Sequence, residues 1–322
     1  MRAAYATSFN PDAPLDGLEL GERPEPEPMP GWTTVQVKAT SLNHHDLWTL
    51  RGVGISEDRL PMILGCDAAG IDTATGKEVV VHSVISGDNW TGDETLDPTR
   101  SLLSERHQGT FAEYVRVPAA NVIDKPAELS FAEAACLPTA WLTAYRMLFV
   151  NSSLRPGQSV LVQGASGGVA SACISLARVA GLRVWATART EAKQQAALDF
   201  GAHQAFPPGA RLPERVDAVM ETVGAATWSH SLKSLRPGGQ VVISGATSGA
   251  LPPAELNRIF FLQLQIIGST MGTRAELADL MQLLRDTGLR PRIDRVLPLS
   301  DVGQALTAMQ SGQLLGKIVL EP

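Results

Sequence analysis

The chain has 322 residues, 44% of them hydrophobic, and a formal net charge of −6 with no block of basic residues. That length allows two domains with sizeable cores, and the charge balance argues against a nucleic-acid partner. No apolar run reaches the ~18 residues of a membrane span. The start, MRAAYATSFNPDAP, lacks a signal-peptide core, and Cys66, Cys136 and Cys173 give no disulfide framework, so a cytoplasmic setting is expected.

Residues 1–125 read as β-rich. WTTVQVKATSLN at 32–43 alternates apolar and polar side chains, as a half-buried strand does. PMILGCDAAGID at 61–72, GKEVVVHSV at 76–84 and GTFAEYVRVPAANVI at 109–123 are further strand candidates. Residues 86–109 are polar and read as an exposed loop or lobe. The texture changes near Lys125-Pro126. LSFAEAACLPTAWLTAYRMLFV at 129–150 has helical periodicity, and strands then alternate with helices: VLV, LRVWAT, VDAVMETVG, VVISGA and FLQLQIIGST are the strand candidates. Such alternation predicts a parallel, doubly wound sheet. RAELADLMQLLRDTG reads as an amphipathic helix, and residues 291–322 return to short strands and a helix. The expected division is therefore 1–125 with 272–322 for the β-rich domain and 126–271 for the parallel-sheet domain.

The chain is organised around residues 160–177, VLVQGASGGVASACISLA. A short apolar run leads into the turn Gly164-Ala165-Ser166-Gly167-Gly168, and a helical pattern follows from Val169. Strand, glycine turn and helix form the context of a dinucleotide-phosphate site. The glycines allow the backbone to approach a pyrophosphate, which sits on helix N–H groups carrying partial positive charge. With the second strand at 182–187, the unit has about the expected ~30 residues. A ligand of such a sheet lies beyond the carboxyl ends of its strands, so the substrate is expected in the cleft between the two domains.

The stretches SLNHHDLWTLRG, PMILGCDAAG, GTFAEYV, LPTAWLTAYRML, VLVQGASGGVA, DAVMETVG, LRPGGQVVISG, IIGSTMGTRAEL and GKIVLEP resemble the medium-chain dehydrogenase/reductase superfamily along essentially the whole chain. Within it the chain is most similar to the quinone-oxidoreductase branch. The resemblance implies a GroES-like catalytic domain, a Rossmann cofactor domain, hydride transfer with NAD(P)H and a homodimer joined near 262–270. It places Ser244, Gly245, Ser269, Thr270 and Met271 beside the nicotinamide, and Thr143, Val223 and Thr139 in further cofactor-contacting stretches. It also implies metal-ligand positions at Asn43, Cys66 and Thr139. Only Cys66 is a good zinc ligand there, and residues 86–109 lack the four cysteines of a structural zinc lobe. No metal is therefore expected.

The residue after the second strand selects the nucleotide. An acid at that position binds the ribose 2′-OH of NAD and repels a 2′-phosphate. Counting back from Gly201-Ala202 places Ala188 there, followed by Arg189, with no acid before Glu191. Arg189 can grip a phosphate through two N–H groups, Lys193 stands one turn on, and Thr187 offers a hydroxyl. NADPH is the expected cofactor. Without a metal to polarise a simple carbonyl, the acceptor must already be electron-poor, a quinone or an α,β-unsaturated carbonyl. Asn43 is the first candidate to hydrogen-bond the acceptor carbonyl or the cofactor ribose. Asp46 is expected to order its loop, and Trp48 to form a flat wall for an aromatic acceptor. The alternatives are a zinc-type alcohol dehydrogenase with an atypical metal site and a catalytically silent NADPH-binding protein. Cysteines 136 and 173 are expected in the core.

Overall fold

The apolar–polar alternation of 32–41 forms the longest strand of the chain, and the rest of its sheet is built on it. The computed structural model describes residues 1–322. Residues 1–140 and 271–322 form one compact unit and 141–270 a second.

The first unit opens with β1 (Arg2–Ala6), β2 (Leu18–Glu22), β3 (Trp32–Ser41), α1 (His44–Leu50), β4 (Met62–Ile63), β5 (Ala68–Asp72) and β6 (Glu78–Val81). It continues with β7 (Val84–Ile85), β8 (Ser101–Leu102), β9 (Tyr114–Pro118), β10 (Val122–Asp124) and α2 (Phe131–Ala135). Helix α2 packs on β3 and β5, which is why this unit extends beyond the change of texture at Lys125-Pro126 as far as Ala140. The periodic stretch 129–150 is not one helix. Between α2 and α3 (Leu142–Tyr145) lies a π-helical turn, Leu137–Trp141, which contains Pro138, and a second π turn, Arg146–Val150, follows. A proline has no N–H to continue the ladder, so the helix widens around it.

The second unit holds β11 (Ser159–Val162), α4 (Gly168–Val179), β12 (Arg183–Thr187), α5 (Glu191–Asp199), β13 (Gln204–Phe206), β14 (Val216–Glu221), α6 (Ala225–Ser234), β15 (Leu235–Ile243), α7 (Leu256–Phe261) and β16 (Gln265–Gly268). Its six strands are all parallel, in the order β13-β12-β11-β14-β15-β16. The order reverses between β11 and β14, the doubly wound arrangement with its switch point beside the glycine turn. Leu161, Trp185, Val219, Trp228 and Val241 fill its core. Strand β15 starts at Leu235 and runs through Arg236-Pro-Gly-Gly239, where its register against β14 slips.

The chain then returns to the first unit with α8 (Arg274–Thr287), β17 (Ile293–Pro298), α9 (Val302–Gln310) and β18 (Lys317–Glu321). Strand β18 pairs antiparallel with β3, Val319 against Ser41 and Leu320 against Thr40. This pairing completes a sheet ordered β10-β6-β5-β3-β18-β17, with β9 also on β3. Leu47 and Leu50 of α1 pack with Leu64, Phe111, Leu306 and Ile318. No helix is long and apolar enough to cross a membrane.

Candidate active site

In the second unit the candidate cofactor residues, Thr143 on α3 apart, lie at or beyond the carboxyl ends of the parallel strands. Gly164 takes a φ of +70°, and a Cβ there would stand 2.8 Å from Val223 Cγ2. Only glycine meets both conditions, and the contact places Val223 against the turn. Ala165 is buried and donates its N–H to Thr187 O at 2.9 Å. Ser166, Gly167, Gly168 and Val169 are half-buried. Gly167 caps α4 without a side chain, and a Cβ on it would meet nothing within 4 Å. The first-turn N–H groups of a 12-residue helix are thus left to an external acceptor. This arrangement fits the pyrophosphate of a dinucleotide.

Thr187 does not offer its hydroxyl outward. Its Oγ1 donates to Gln163 Oε1 at 2.6 Å and lies 3.4 Å from Gly164 N, so it braces the turn. Ala188 is buried and also bonds inward, from its N–H to Phe206 O. Arg189 is exposed past the end of β12, and Lys193 is half-buried on the first turn of α5. Burial, then the nearby Arg189 charge, holds the Lys193 amine below its ordinary value. Two basic residues therefore follow the end of β12, where an NAD-selecting acid would be.

Two residues of this region were missed by sequence reasoning. Buried Glu221, at the end of β14, accepts N–H bonds from Val223 and Gly224 at 2.8 and 3.1 Å and hydroxyl bonds from Thr227 and Ser231. It fixes the turn that carries Val223. Gln163 donates to Ser231 Oγ while accepting from Thr187. The available signal was a polar residue ending an apolar strand, Val-Met-Glu and Val-Leu-Val-Gln. Ser244 and Gly245 are half-buried, and Ser244 N–H donates to Glu221 O. Ser269 N–H donates to Ile243 O, and its buried hydroxyl has no partner. Thr270 is exposed and Thr143 buried. Met271 and Thr139 belong to the first unit, where Met271 is buried at a φ of +49° and the Thr139 hydroxyl is buried without a partner.

In the first unit a polar cluster surrounds the start of α1. Asn43 is buried, with its Nδ2 donating to Asp67 Oδ2 at 2.8 Å and Ser41 O at 3.3 Å. Its Oδ1 accepts from Lys317 Nζ at 2.7 Å. Both amide hydrogens are thus engaged within the protein. A carbonyl bond from Asn43, the expectation from sequence, requires exchange of one of them. Lys317 is nearly fully buried and donates also to Leu42 O and, at 3.4 Å, to Asp67 Oδ2. Asp46 is fully buried and accepts the Asn43 N–H at 2.7 Å through Oδ2, which orders the helix start as expected. Its Oδ1 has no partner. Burial lifts the Asp46 carboxyl to about 6, against the lowering effect of the Asn43 N–H. Trp48 is half-buried on the next turn.

His44 and His45 open α1, so their side chains diverge by about 100°. His44 is exposed, and His45 turns inward. His45 Nδ1 lies 3.3 Å from Cys66 Sγ, and Nε2 lies 3.1 Å from Glu105 Oε1. Glu105 is itself held by Leu102 N–H at 2.8 Å, within the stretch read as an exposed lobe. Burial alone would raise the Glu105 carboxyl, but the bonds from His45 and Leu102 keep it below its ordinary value. Cys66 is fully buried after Gly65, whose φ is +93° and whose Cβ would stand 2.4 Å from Phe111 Cδ1. Burial, then Asp46, Asp67 and Glu105, pushes the Cys66 thiol well above its ordinary value. Cys136 and Cys173 are buried, as expected.

A family model described as "Alcohol dehydrogenase GroES-like domain" matches residues 29–127, and one described as "Zinc-binding dehydrogenase" matches residues 168–286. A quinone oxidoreductase of Lama guanicoe is 30% identical, with 92% of this chain and 90% of the relative covered. A crystal structure of an NAD-dependent alcohol dehydrogenase superposes with a TM-score of 0.93 at 33% identity over all of both chains. A cobalt- and zinc-bound thermostable alcohol dehydrogenase from Pyrobaculum aerophilum is 30% identical, with a TM-score of 0.91 over 100% of this chain and 99% of the other.

The zinc named by such relatives can be tested against the residues present. The positions Asn43, Cys66 and Thr139 do not suit it: the Asn43 oxygen already receives an ammonium group, and Thr139 offers only a hydroxyl. The adjoining set His45, Asp46 and Cys66 does suit it, with ligand atoms all within 4.8 Å of one another and the Asp46 Oδ1 unpartnered.

Proposed function

The chain belongs to the medium-chain dehydrogenase/reductase superfamily, and from that premise we propose that it is an NADPH-dependent oxidoreductase that reduces quinones or α,β-unsaturated carbonyls. The observation that carries the cofactor choice is the exposed Arg189 directly past β12, with Lys193 on the first turn of α5 and no acid before Glu191. NADPH supplies a hydride and, with one proton from solvent, completes a hydroquinone or a saturated carbonyl. The protein binds and orients. The Gly164–Gly168 turn and the N-terminus of α4 hold the pyrophosphate, and the fixed Glu221 turn keeps Val223 against it. Arg189 and Lys193 neutralise the 2′-phosphate. Positioning of this kind lowers a barrier by up to about 7–11 kcal/mol.

The acceptor class rests on Asn43 and Thr139, which leave the superfamily's own metal position two ligands short. In this reading the acceptor supplies its own activation, and a metal that activates substrate from elsewhere in the cluster would favour the second reading below. The test is oxidation of NADPH and NADH with a panel of quinones and enones. Arg189→Ala is expected to weaken NADPH at least tenfold and leave NADH nearly unchanged. Equal loss for both cofactors would refute the assignment of the phosphate site. NADPH binding without oxidation across the panel would favour the silent binding protein instead.

A second reading, an alcohol dehydrogenase with an atypical metal site, is favoured by the ligand set His45, Asp46 and Cys66. A metal there would polarise a carbonyl oxygen. A homodimer is proposed through β16, the outer strand of its sheet, beside Phe260 and Phe261, which are 66% and 81% exposed. Sedimentation equilibrium tests it, and a monomer at micromolar concentration would reject it.

A further inference from the structure

We propose that His45, Asp46 and Cys66 form a binding site for a zinc-class transition-metal ion that shares only Cys66 with the superfamily's ligand positions and is supported by Glu105 behind His45. The three side chains supply one nitrogen, one oxygen and one sulfur, the ligand types that Zn²⁺ accepts, and they leave a fourth tetrahedral position open. With metal–ligand bonds of about 2.0–2.3 Å, tetrahedral sulfur and nitrogen ligands stand roughly 3.6 Å apart. Cys66 Sγ and His45 Nδ1 are already 3.3 Å apart.

The surroundings favour a cation independently of the ligand atoms. Glu105 Oε1 faces His45 Nε2 at 3.1 Å and is fixed by the Leu102 N–H. A proton is therefore held on Nε2, and the lone pair of Nδ1 faces Cys66. A carboxylate on the far nitrogen is the usual support of a metal-bound histidine. A hydrogen bond between the Cys66 thiol and His45 would account for those two residues alone. It leaves unexplained the fully buried Asp46, whose Oδ1 has no partner. Buried Asp67 also has an unpartnered Oδ1, and Lys317 supplies one positive charge beside it. A divalent ion held by one thiolate and one carboxylate adds no net charge to this interior.

Sequence order concealed the set. Cys66 follows Gly65, which a side chain cannot replace without colliding with Phe111. His45 reaches it because α1 turns that ring inward while His44 points out.

The inference does not rest on the proposed hydride transfer, and its readout is optical. Chelator-treated protein is titrated with Co²⁺. We expect one equivalent to bind, with a sulfur-to-cobalt charge-transfer band and the intense visible bands of a four-coordinate site. Cys66→Ser should abolish the charge-transfer band. Glu105→Gln, which leaves all three ligands in place, should weaken binding by about 10–100-fold with the bands retained. Thr139→Val should leave the spectrum unchanged. Absence of a charge-transfer band in the unmodified chain overturns the proposal, as does its survival in Cys66→Ser. A Glu105→Gln affinity within twofold of the original overturns the supporting role of Glu105. Loss of the band in Thr139→Val would place the ion at the superfamily's positions instead. Failure of NADPH oxidation would leave each of these outcomes unaffected.

Discussion

Lys317 has one of the few fully enclosed ammonium groups in the chain, and its replacement is expected to be costly. In Lys317→Met the side-chain length is nearly kept and the charge is lost. The ammonium sits 2.5 Å from Leu42 O, 2.7 Å from Asn43 Oδ1 and 3.4 Å from Asp67 Oδ2, with side-chain exposures of 4% for Lys317 and 0% for Asp67. Two neutral acceptors lose a charged donor, and a buried carboxylate loses its counter-ion. Breaking one side of a buried pair costs about 3–5 kcal/mol. The long 3.4 Å separation and the bonds to Asp67 from Ser41 and Asn43 argue for the lower end. We therefore expect Lys317→Met to destabilise the first unit by about 3 kcal/mol. Urea unfolding near neutral pH reads this as a lower midpoint at constant slope, taken on whichever transition the substitution moves. Asp67→Asn removes the charge left behind. The double variant should be less destabilised than the sum of the singles by at least about 1 kcal/mol. A loss in Lys317→Met below about 1 kcal/mol, or strict additivity in the double variant, would refute the view of Lys317 as counter-ion and anchor.

Gly164→Ala forces a Cβ to 2.8 Å from Val223 at a φ of +70°, so NADPH affinity measured by fluorescence titration should fall at least tenfold. An unchanged affinity would mean that the turn does not approach the nucleotide. Burial would raise the Asp217 carboxyl, but Ser159 N–H at 2.8 Å and Arg236 at 2.6 Å hold it below its ordinary value. Its unfolded value is about 3.9, so the unfolded chain binds the proton first. The stabilisation is full above that value and is lost as pH falls through the lower folded one. Asp217→Asn should cost about 1–3 kcal/mol at pH 7 and flatten the acid limb of the stability curve. An unaltered acid limb would exclude this role. Burial pushes the Cys136 thiol up to about 12 and raises Cys173 as well, so neither should react with a thiol reagent before the chain unfolds. Fast labelling of either in the native protein would contradict their enclosure.

The features legible in sequence are those written into neighbouring residues. The turn at Gly164 needs a positive φ and room beside Val223, and glycine announces both within a few positions of its strand. Ala188 and Arg189 were located by counting along one βαβ unit. The parallel sheet followed from alternation alone, and its switch point at β11 and β14 agrees with the position of the glycine turn. The chemistry of the first unit was not written locally. The alternation of 32–43 says where a strand runs but not where the rings of His44 and His45 point. The chain turns into α1 at Asn43, and only then does His45 meet Cys66. Glu105 reaches His45 from a stretch whose polarity suggested an exposed lobe. Asn43 is a candidate by virtue of its amide, but what the amide does is decided by Lys317, at the far end of the chain. Pairing of Val319 with Ser41 sets Lys317 beside Leu42 and Asn43, and the ammonium then holds the Asn43 oxygen and turns its nitrogen toward Asp67. The register of two distant strands therefore fixes the direction in which the amide donates, which no spacing within SLNHHD could reveal. It also separates the two carboxylates: Asp67 has an ammonium beside it, Asp46 has none at its free oxygen, and it is Asp46 that stands with His45 and Cys66.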